Sequence, residues 1–186
     1  PLGFIVYLNH DEAKKVAGYT SGFISSIDHF RRFFGLLKSG KAFDGTGRKL
    51  SKKRLDDIFD DIIGLRDPVR VVRAEFLGAR FNDGNLIVYD TFNASGRLAE
   101  VEEPLDKDTL MNNKLPGFSL EDWIKESTSQ GLPRKNIKGG HLWYSYPKEM
   151  SDAWFGVGSG GAYLNCSGNP SYSDSALGVR IVRVKE

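Results

Sequence analysis

The chain has 186 residues, 40% hydrophobic, 27% charged and 12% aromatic, enough for one domain with a substantial core. A formal net charge of +2 gives no electrostatic ground for nucleic-acid binding, and no apolar run reaches the roughly 20 residues of a membrane span. A single cysteine excludes an internal disulfide framework.

Residues 4–8, FIVYL, are expected as a short buried strand. The segment TSGFISSIDHFRRFFGLLKSG spaces Phe23, Ile27, Phe30, Phe34 and Leu37 as the apolar face of a helix over 20–38, with Gly40 as its stop. Ser51 caps a second helix over 51–63, whose stripe is Leu55, Ile58, Phe59 and Ile62 and whose end is Gly64. On that helix Asp56, Asp57, Asp60 and Asp61 fall at i, i+1, i+4, i+5, which is the spacing of a wet face rather than of a metal site. VRVVRAEFLGARF at 69–81, LIVYDTF and LAEVEE, separated by the turns NDGN and NASGR, read as an antiparallel meander. Ser119 caps a short helix around LEDWIKES. From His141 short strands alternate with Gly, Ser, Asn and Pro loops, and LGVRIVRV ends the chain as a central strand that should pair with 4–8. One core formed by two helices and many short strands makes a single α+β domain over 1–186.

The run GVGSGGAYLNCSGNP at 156–170 contains Gly156-x-Gly158-x-x-Gly161, a literal dinucleotide fingerprint. That chemistry needs a helix after the glycines, because free N–H groups at the helix start hold the pyrophosphate. Here Ala162, Leu164 and Cys166 alternate with Tyr163, Asn165 and Ser167, which is strand period, and Pro170 bars a long helix. Other chemistry is equally thin. Cys166 falls on the inward face as a buried structural thiol. His10, His29 and His141 stand at no metal-ligand spacing, and His29 reads as an exposed helix residue. DGTG at 44–47 lacks the strand of an aspartic-protease motif and reads as a glycine turn. No catalytic residue, metal or cofactor is expected.

A display surface accounts for the run better. From Phe155 to Leu177 the only charged residue is Asp174, and Tyr, Ser, Gly and Asn are the residues of adaptable binding loops. Asp152, Trp154, Gly156, Gly158, Gly160, Tyr163, Asn165, Ser167, Gly168 and Asn169 are expected to form one solvent-facing patch that buries little and carries few structural hydrogen bonds.

VRAEFLGARFNDGNLIVYD, QGLPRKNIKGGHLWYSYP and AWFGVGSGGAYLNCSGNPSYSDSALGVRIVRV together resemble the variable proteins of diversity-generating retroelements, above all their archaeal and archaeal-virus members. The likeness covers roughly residues 66–184, with SDSALGVR its most specific piece. It implies a C-type lectin fold, in which an early strand pairs with the last, two helices follow the first strand, and a second small sheet carries the ligand surface. It also implies a variable region at approximately 141–180, rewritten at adenines by a dedicated reverse transcriptase. The scaffold positions would be Phe155, Ala162, Leu164, Cys166, Pro170, Ser173, Asp174, Ser175, Leu177, Gly178 and Arg180, with Asp174 and Ser175 holding the loop through backbone hydrogen bonds.

Randomising an AAC codon at its adenines cannot yield Trp, Met, Lys, Gln or Glu. These types supply 29 of the 186 residues, yet none stands between 155 and 184. Trp154 does not fit an AAC codon; it is either a variable position of another adenine-bearing codon or a fixed core aromatic. The Glu-Pro-Asn, Gln-Pro-Asp and Trp-Asn-Asp tripeptides of calcium-dependent lectins are missing, which speaks against calcium-mediated sugar binding. The expected activity is therefore non-enzymatic binding of a protein or cell-surface ligand by a monomer, without nucleic acid or membrane insertion. A virion or cell-surface location fits, and no signal peptide is visible. The competing reading is an enzyme or cofactor-binding relative of the formylglycine-generating enzymes. They share the fold but need a reactive cysteine pair, and here Cys166 is alone.

Overall fold

The computed structural model describes residues 5–44, 46–64, 73–158 and 160–182. Phe4, Gly45, residues 69–72 of the expected third strand, Ser159 and residues 183–184 of the expected last strand lie outside the described residues. The chain is mixed α+β, with four helices and a large, mostly antiparallel sheet among the described residues.

The first strand, β1 (Ile5–Val6), is shorter than expected, because Tyr7 takes a left-handed φ of 62° and turns the chain out of the ladder. A helix the periodicity did not signal follows at once, α1 (His10–Tyr19). Its start was legible as a capping box: the Asn9 side chain accepts from the Glu12 N–H, and the Glu12 carboxylate accepts from the Asn9 N–H, each at 2.9 Å. Its buried stripe was not legible, because it consists of the small residues Ala13 and Ala17 beside His10.

The expected 20–38 helix begins later. Phe23 and Ile24 form a strand, β2 (Phe23–Ile24), and the Ser26 hydroxyl caps α2 (Ile27–Ser39). Ile27, Phe30, Phe34 and Leu37 are its buried face, and Gly40 at φ 71° closes it. Ser51 caps α3 (Lys52–Ile63), on which Asp56 and Asp61 are exposed and ion-paired with Lys52 and Arg73.

Strands β3 (Arg73–Asn82), β4 (Leu86–Phe92) and β5 (Leu98–Pro104) form the expected meander. After β6 (Lys114–Phe118) the Ser119 hydroxyl caps α4 (Leu120–Lys125). The remaining strands are β7 (Leu142–Ser145), β8 (Ser151–Gly158), β9 (Gly161–Gly168), β10 (Leu177–Val179) and β11 (Ile181–Val182). The large sheet runs β1-β10-β3-β8-β9-β7-β6, with β4 and β5 added beside the second half of β3. Ile5 pairs with Val179 and Val6 with Gly178, antiparallel, so the two ends of the chain meet as expected. Ile181 and Val182 leave that sheet and pair with β2.

The two faces of this sheet are covered unequally. On one face Ala153, Phe155, Val157, Ala162, Leu164 and Cys166 pack with the apolar sides of α2, α3 and α4 into the main core. Trp123 of α4 stacks on Phe155 with ring centroids 6.4 Å apart, and Phe34 meets the same ring edge-on at 5.4 Å. On the other face a smaller cluster joins Ala13 and Ala17 of α1 to Ile24, Ala74, Phe76, Leu177 and Val179. That helix packs on the β10 and β3 side and touches β8 through His10, and the outer faces of β9 and β7 have no helix packed over them among the described residues.

The main core fixes one stability expectation. Leu164 is fully buried in the main core, so Leu164→Ala should cost about 2–5 kcal/mol. Urea unfolding checks this: the midpoint should fall while the slope stays constant, as a cavity without a change of fold requires.

Candidate binding surface

Strand β9 alternates strictly: Ala162, Leu164 and Cys166 are buried, while Tyr163, Asn165 and Ser167 are half-exposed on the other face. Register sets their neighbours. Tyr163 lies between Trp143 of β7 and Gly156 of β8, and Asn165 lies between Ser145 and Trp154. The outer face is therefore a row of uncharged polar and aromatic groups. Trp143 and Tyr172, each 45% exposed, stand at either side of it. Trp154 bridges from the row to the small cluster, against Phe76 at 6.2 Å and Tyr172 at 5.8 Å.

Three glycines of the run are recesses for three rings. A Cβ on Gly156 would stand 2.7 Å from the Tyr163 ring and 2.8 Å from the Ala74 Cβ. On Gly168 it would stand 2.8 Å from the Asp152 carbonyl oxygen and 2.9 Å from the Trp154 ring. On Gly160 it would meet the Trp143 indole at 2.5 Å. Gly158 is open, its nearest neighbour a Tyr163 ring carbon at 3.8 Å, and Gly161 is held at φ 111°, where other residues are strained.

The expected ten-residue patch is thus corrected. Gly156 and Gly168 are buried, and Asp152 is fully buried. Asn165 and Asn169 also carry structural bonds, since Asn165 Oδ1 accepts from the Ser167 N–H at 2.8 Å and Asn169 Oδ1 from the Ser171 N–H at 3.0 Å. Gly158, Gly160, Tyr163, Asn165, Ser167 and Asn169 do reach solvent, with Trp154 partly exposed.

Asp152 belongs to a buried polar cluster that single-residue reading of His10 missed. Asp152 Oδ1 accepts from Arg80 Nε at 3.0 Å, and Arg80 Nη2 donates to Asp11 Oδ1 at 2.7 Å. His10 Nε2 lies 3.1 Å from the Leu77 carbonyl, which can only accept, so Nε2 carries the proton. His10 Nδ1 then faces Arg80 Nη2 at 3.4 Å and Asp152 Oδ2 at 3.5 Å. This cluster occupies a break in the β3–β8 ladder between Phe76 and Arg80, where Gly78 donates to the Ser25 carbonyl instead. The break is where α1 and β2 dock on the sheet. Nothing in the spacing of His10, Arg80 and Asp152 announces it, because each comes from a different element. His29 also differs from expectation: it is half-buried, with its ring against Phe23 and Phe92.

The 169–176 loop is fastened from both sides. His10 N–H donates to the Pro170 carbonyl at 3.4 Å and Tyr7 N–H to the Asp174 carbonyl at 3.2 Å. Asp174 Oδ1 accepts from the Ala176 N–H at 2.7 Å, the expected backbone bond, and this holds its carboxyl below the usual range. Ser175 contributes differently, bonding the Asp174 carboxylate rather than the backbone. Behind the loop Arg180 grips the buried Glu75 with two bonds, at 3.0 and 3.2 Å.

The chemistry elsewhere is sparse. Cys166 is buried and unpaired, and burial pushes its thiol well up, away from the nucleophilic thiolate. No group of three or more metal-capable side chains converges among the described residues. Two concavities of about 450 and 430 Å³ are lined by no residue of the run. One is lined by Arg31, Arg32, Lys125 and Arg134 with Asp28 and Glu126, the other by His10, Lys14, Arg80, Glu100 and Glu102. The Asp44 turn at DGTG is an Asx turn, with Asp44 Oδ1 accepting from the Thr46 and Arg48 N–H groups.

Two measurements follow from the buried cluster. Burial lowers the His10 imidazole below its ordinary 6.5, against the pull of Asp152. The unfolded chain therefore takes up the proton first as pH falls, so this group's stabilisation is complete above about 6.5 and is lost as pH drops through the lower folded value. Unfolding midpoints at pH 7.5 and 5.0 should show a smaller difference in His10→Gln than in the parent. Asp152→Ala at pH 7.5 should cost about 3 kcal/mol, as removal of one partner of a buried pair does.

Comparison of the chain with family models, with curated proteins and with solved structures finds no match.

Proposed function

We propose that this protein is a non-enzymatic binding protein of the C-type lectin fold that displays a hypervariable surface, generated by retroelement mutagenesis, to recognise diverse macromolecular targets. The observation that carries the reading is the bare outer face of β7 and β9. It is uncharged and aromatic-dotted, and it lies back to back with the main core, so its side chains can change without entering that core. Tyrosine and tryptophan there offer rigid amphipathic area, and Asn165 and Ser167 offer hydrogen bonds. The meeting of β1 with β10 is in keeping with that fold, whereas the small β2–β11 sheet does not carry the display run, which lies on the large sheet. The proposed partner is a protein or cell-surface ligand.

The competing reading, a catalytic relative of the formylglycine-generating enzymes, has weaker support. That chemistry needs a reactive cysteine pair, whereas Cys166 is the one cysteine and its thiol is buried.

Sequencing of the flanking DNA tests the proposal. A reverse-transcriptase gene and a near-copy of the 3′ coding segment, differing from it at adenines, are the expected finding; their absence would overturn the diversification.

A melt tests the placement of the variable positions. The combined variant Gly158→Ser, Tyr163→His and Ser167→Ala should lose no more than about 0.5 kcal/mol per site, as surface changes do. Gly156→Val and Gly168→Val, which force a Cβ against scaffold atoms, should each cost about 1–3 kcal/mol.

A further inference from the structure

We propose that Trp143 is a recognition residue of this surface and that the side chain at position 160 sets the aim of its ring. The first half rests on the display function proposed above; the second does not.

Among the three glycine recesses, the seats differ in what would have to give way. At Gly156 the obstacle includes the Ala74 Cβ, and at Gly168 it includes the Asp152 backbone carbonyl, so neither neighbour can yield without moving the sheet. At Gly160 the obstacles are Cη2, Cζ2 and Cζ3 of Trp143, the far end of a side chain that is 45% exposed. Any Cβ at 160 must displace that indole, and the indole has open solvent to swing into. Trp143 is also free of the ties that hold the other tryptophans. Trp123 donates its indole N–H to the Gly131 carbonyl at 2.7 Å and stacks on Phe155. Trp154 packs against Phe76 and Tyr172. Trp143 packs on no other aromatic ring among the described residues. Its backbone, by contrast, is fixed in register with Tyr163.

The consequence is a division of labour. In this division Trp143 stays fixed while residue 160 changes. A single substitution at 160 then alters two groups at once, its own side chain and the pose of the largest ring on the face. Exposed tryptophan is the side chain most able to anchor a partner, because it buries a large area at the cost of two torsions. A fixed anchor with a replaceable seat widens the range of shapes the surface offers without adding a variable position.

The test uses the full chain labelled with 5-fluorotryptophan. Its three fluorine resonances are assigned by Trp143→Phe, Trp154→Phe and Trp123→Phe. In Gly160→Ser and Gly160→Asn the Trp143 resonance should shift while those of Trp123 and Trp154 stay in place. Gly158→Ser, whose Cβ would make only ordinary contact with Tyr163, should move none of the three. An unmoved Trp143 resonance overturns the aiming role. Movement of all three with a lowered melting temperature overturns it too, by showing Gly160 to be scaffold. The recognition role is read separately. A library varied at 158, 160, 163 and 167 is displayed and selected against immobilised lysozyme, and Trp143→Ala is then introduced into the binders. Loss of at least tenfold in affinity supports the role, and unchanged affinity overturns it. A library yielding no binder overturns the display function itself, while the fluorine shifts still decide the geometry.

Discussion

Strand β9 has to satisfy two opposite demands with alternate residues. Ala162, Leu164 and Cys166 complete the main core, and Tyr163, Asn165 and Ser167 face outward in the same eight residues. A pleated strand separates these sets absolutely, since a side chain can leave one face only by a slip of the whole register. The register is held by partners on both sides, with β7 running parallel and β8 antiparallel. Everything proposed about the outer face depends on this separation, because it lets the outer set change while the inner set carries the fold.

The second constraint is the short reach of α1. Its alanine stripe packs on β10 and β3 and stops there, so among the described residues the sheet is sandwiched at one end and open at the other. The hydrogen bonds that would otherwise continue the β3–β8 ladder are taken by His10 and Ser25 at the break near Gly78, which locks the helix where it lies. Arg80 and Asp152 complete that lock from the sheet side. The boundary between covered and bare surface is therefore a buried polar contact, not a gradual thinning of the core, and it falls beside Trp154.

This arrangement also explains the glycines. Their abundance is not conformational freedom in general, for among the glycines of the 156–168 run a positive φ occurs at Gly161 alone. Gly156, Gly160 and Gly168 are instead missing side chains, each leaving the space into which a neighbouring aromatic ring lies down on the sheet. Rings that would otherwise stand upright become a low, shaped surface.

Much of this was present in the sequence. Period-2 alternation identified the two faces of β9 before any coordinate, the Ser51 and Ser119 caps and the αL glycines at 40 and 64 marked helix ends, and the NDGN and NASGR turns marked the meander. These are local signals, carried by neighbours within a few residues, and a chain cannot avoid expressing them. The failures are of the other kind. Phe23 continued a helical spacing and yet became a strand, because Ile181 and Val182 offered it a ladder from the far end of the chain. Asp152 matched the alternation of exposed positions and yet is fully buried, because Arg80 and His10 arrive from β3 and α1 to neutralise and cover it. Gly156 and Gly168 read as open display positions until the rings of Tyr163 and Trp154 filled the space above them. Backbone period and capping chemistry decided which way each side chain points; only the packing of distant elements decided which of the outward-pointing positions remain in water.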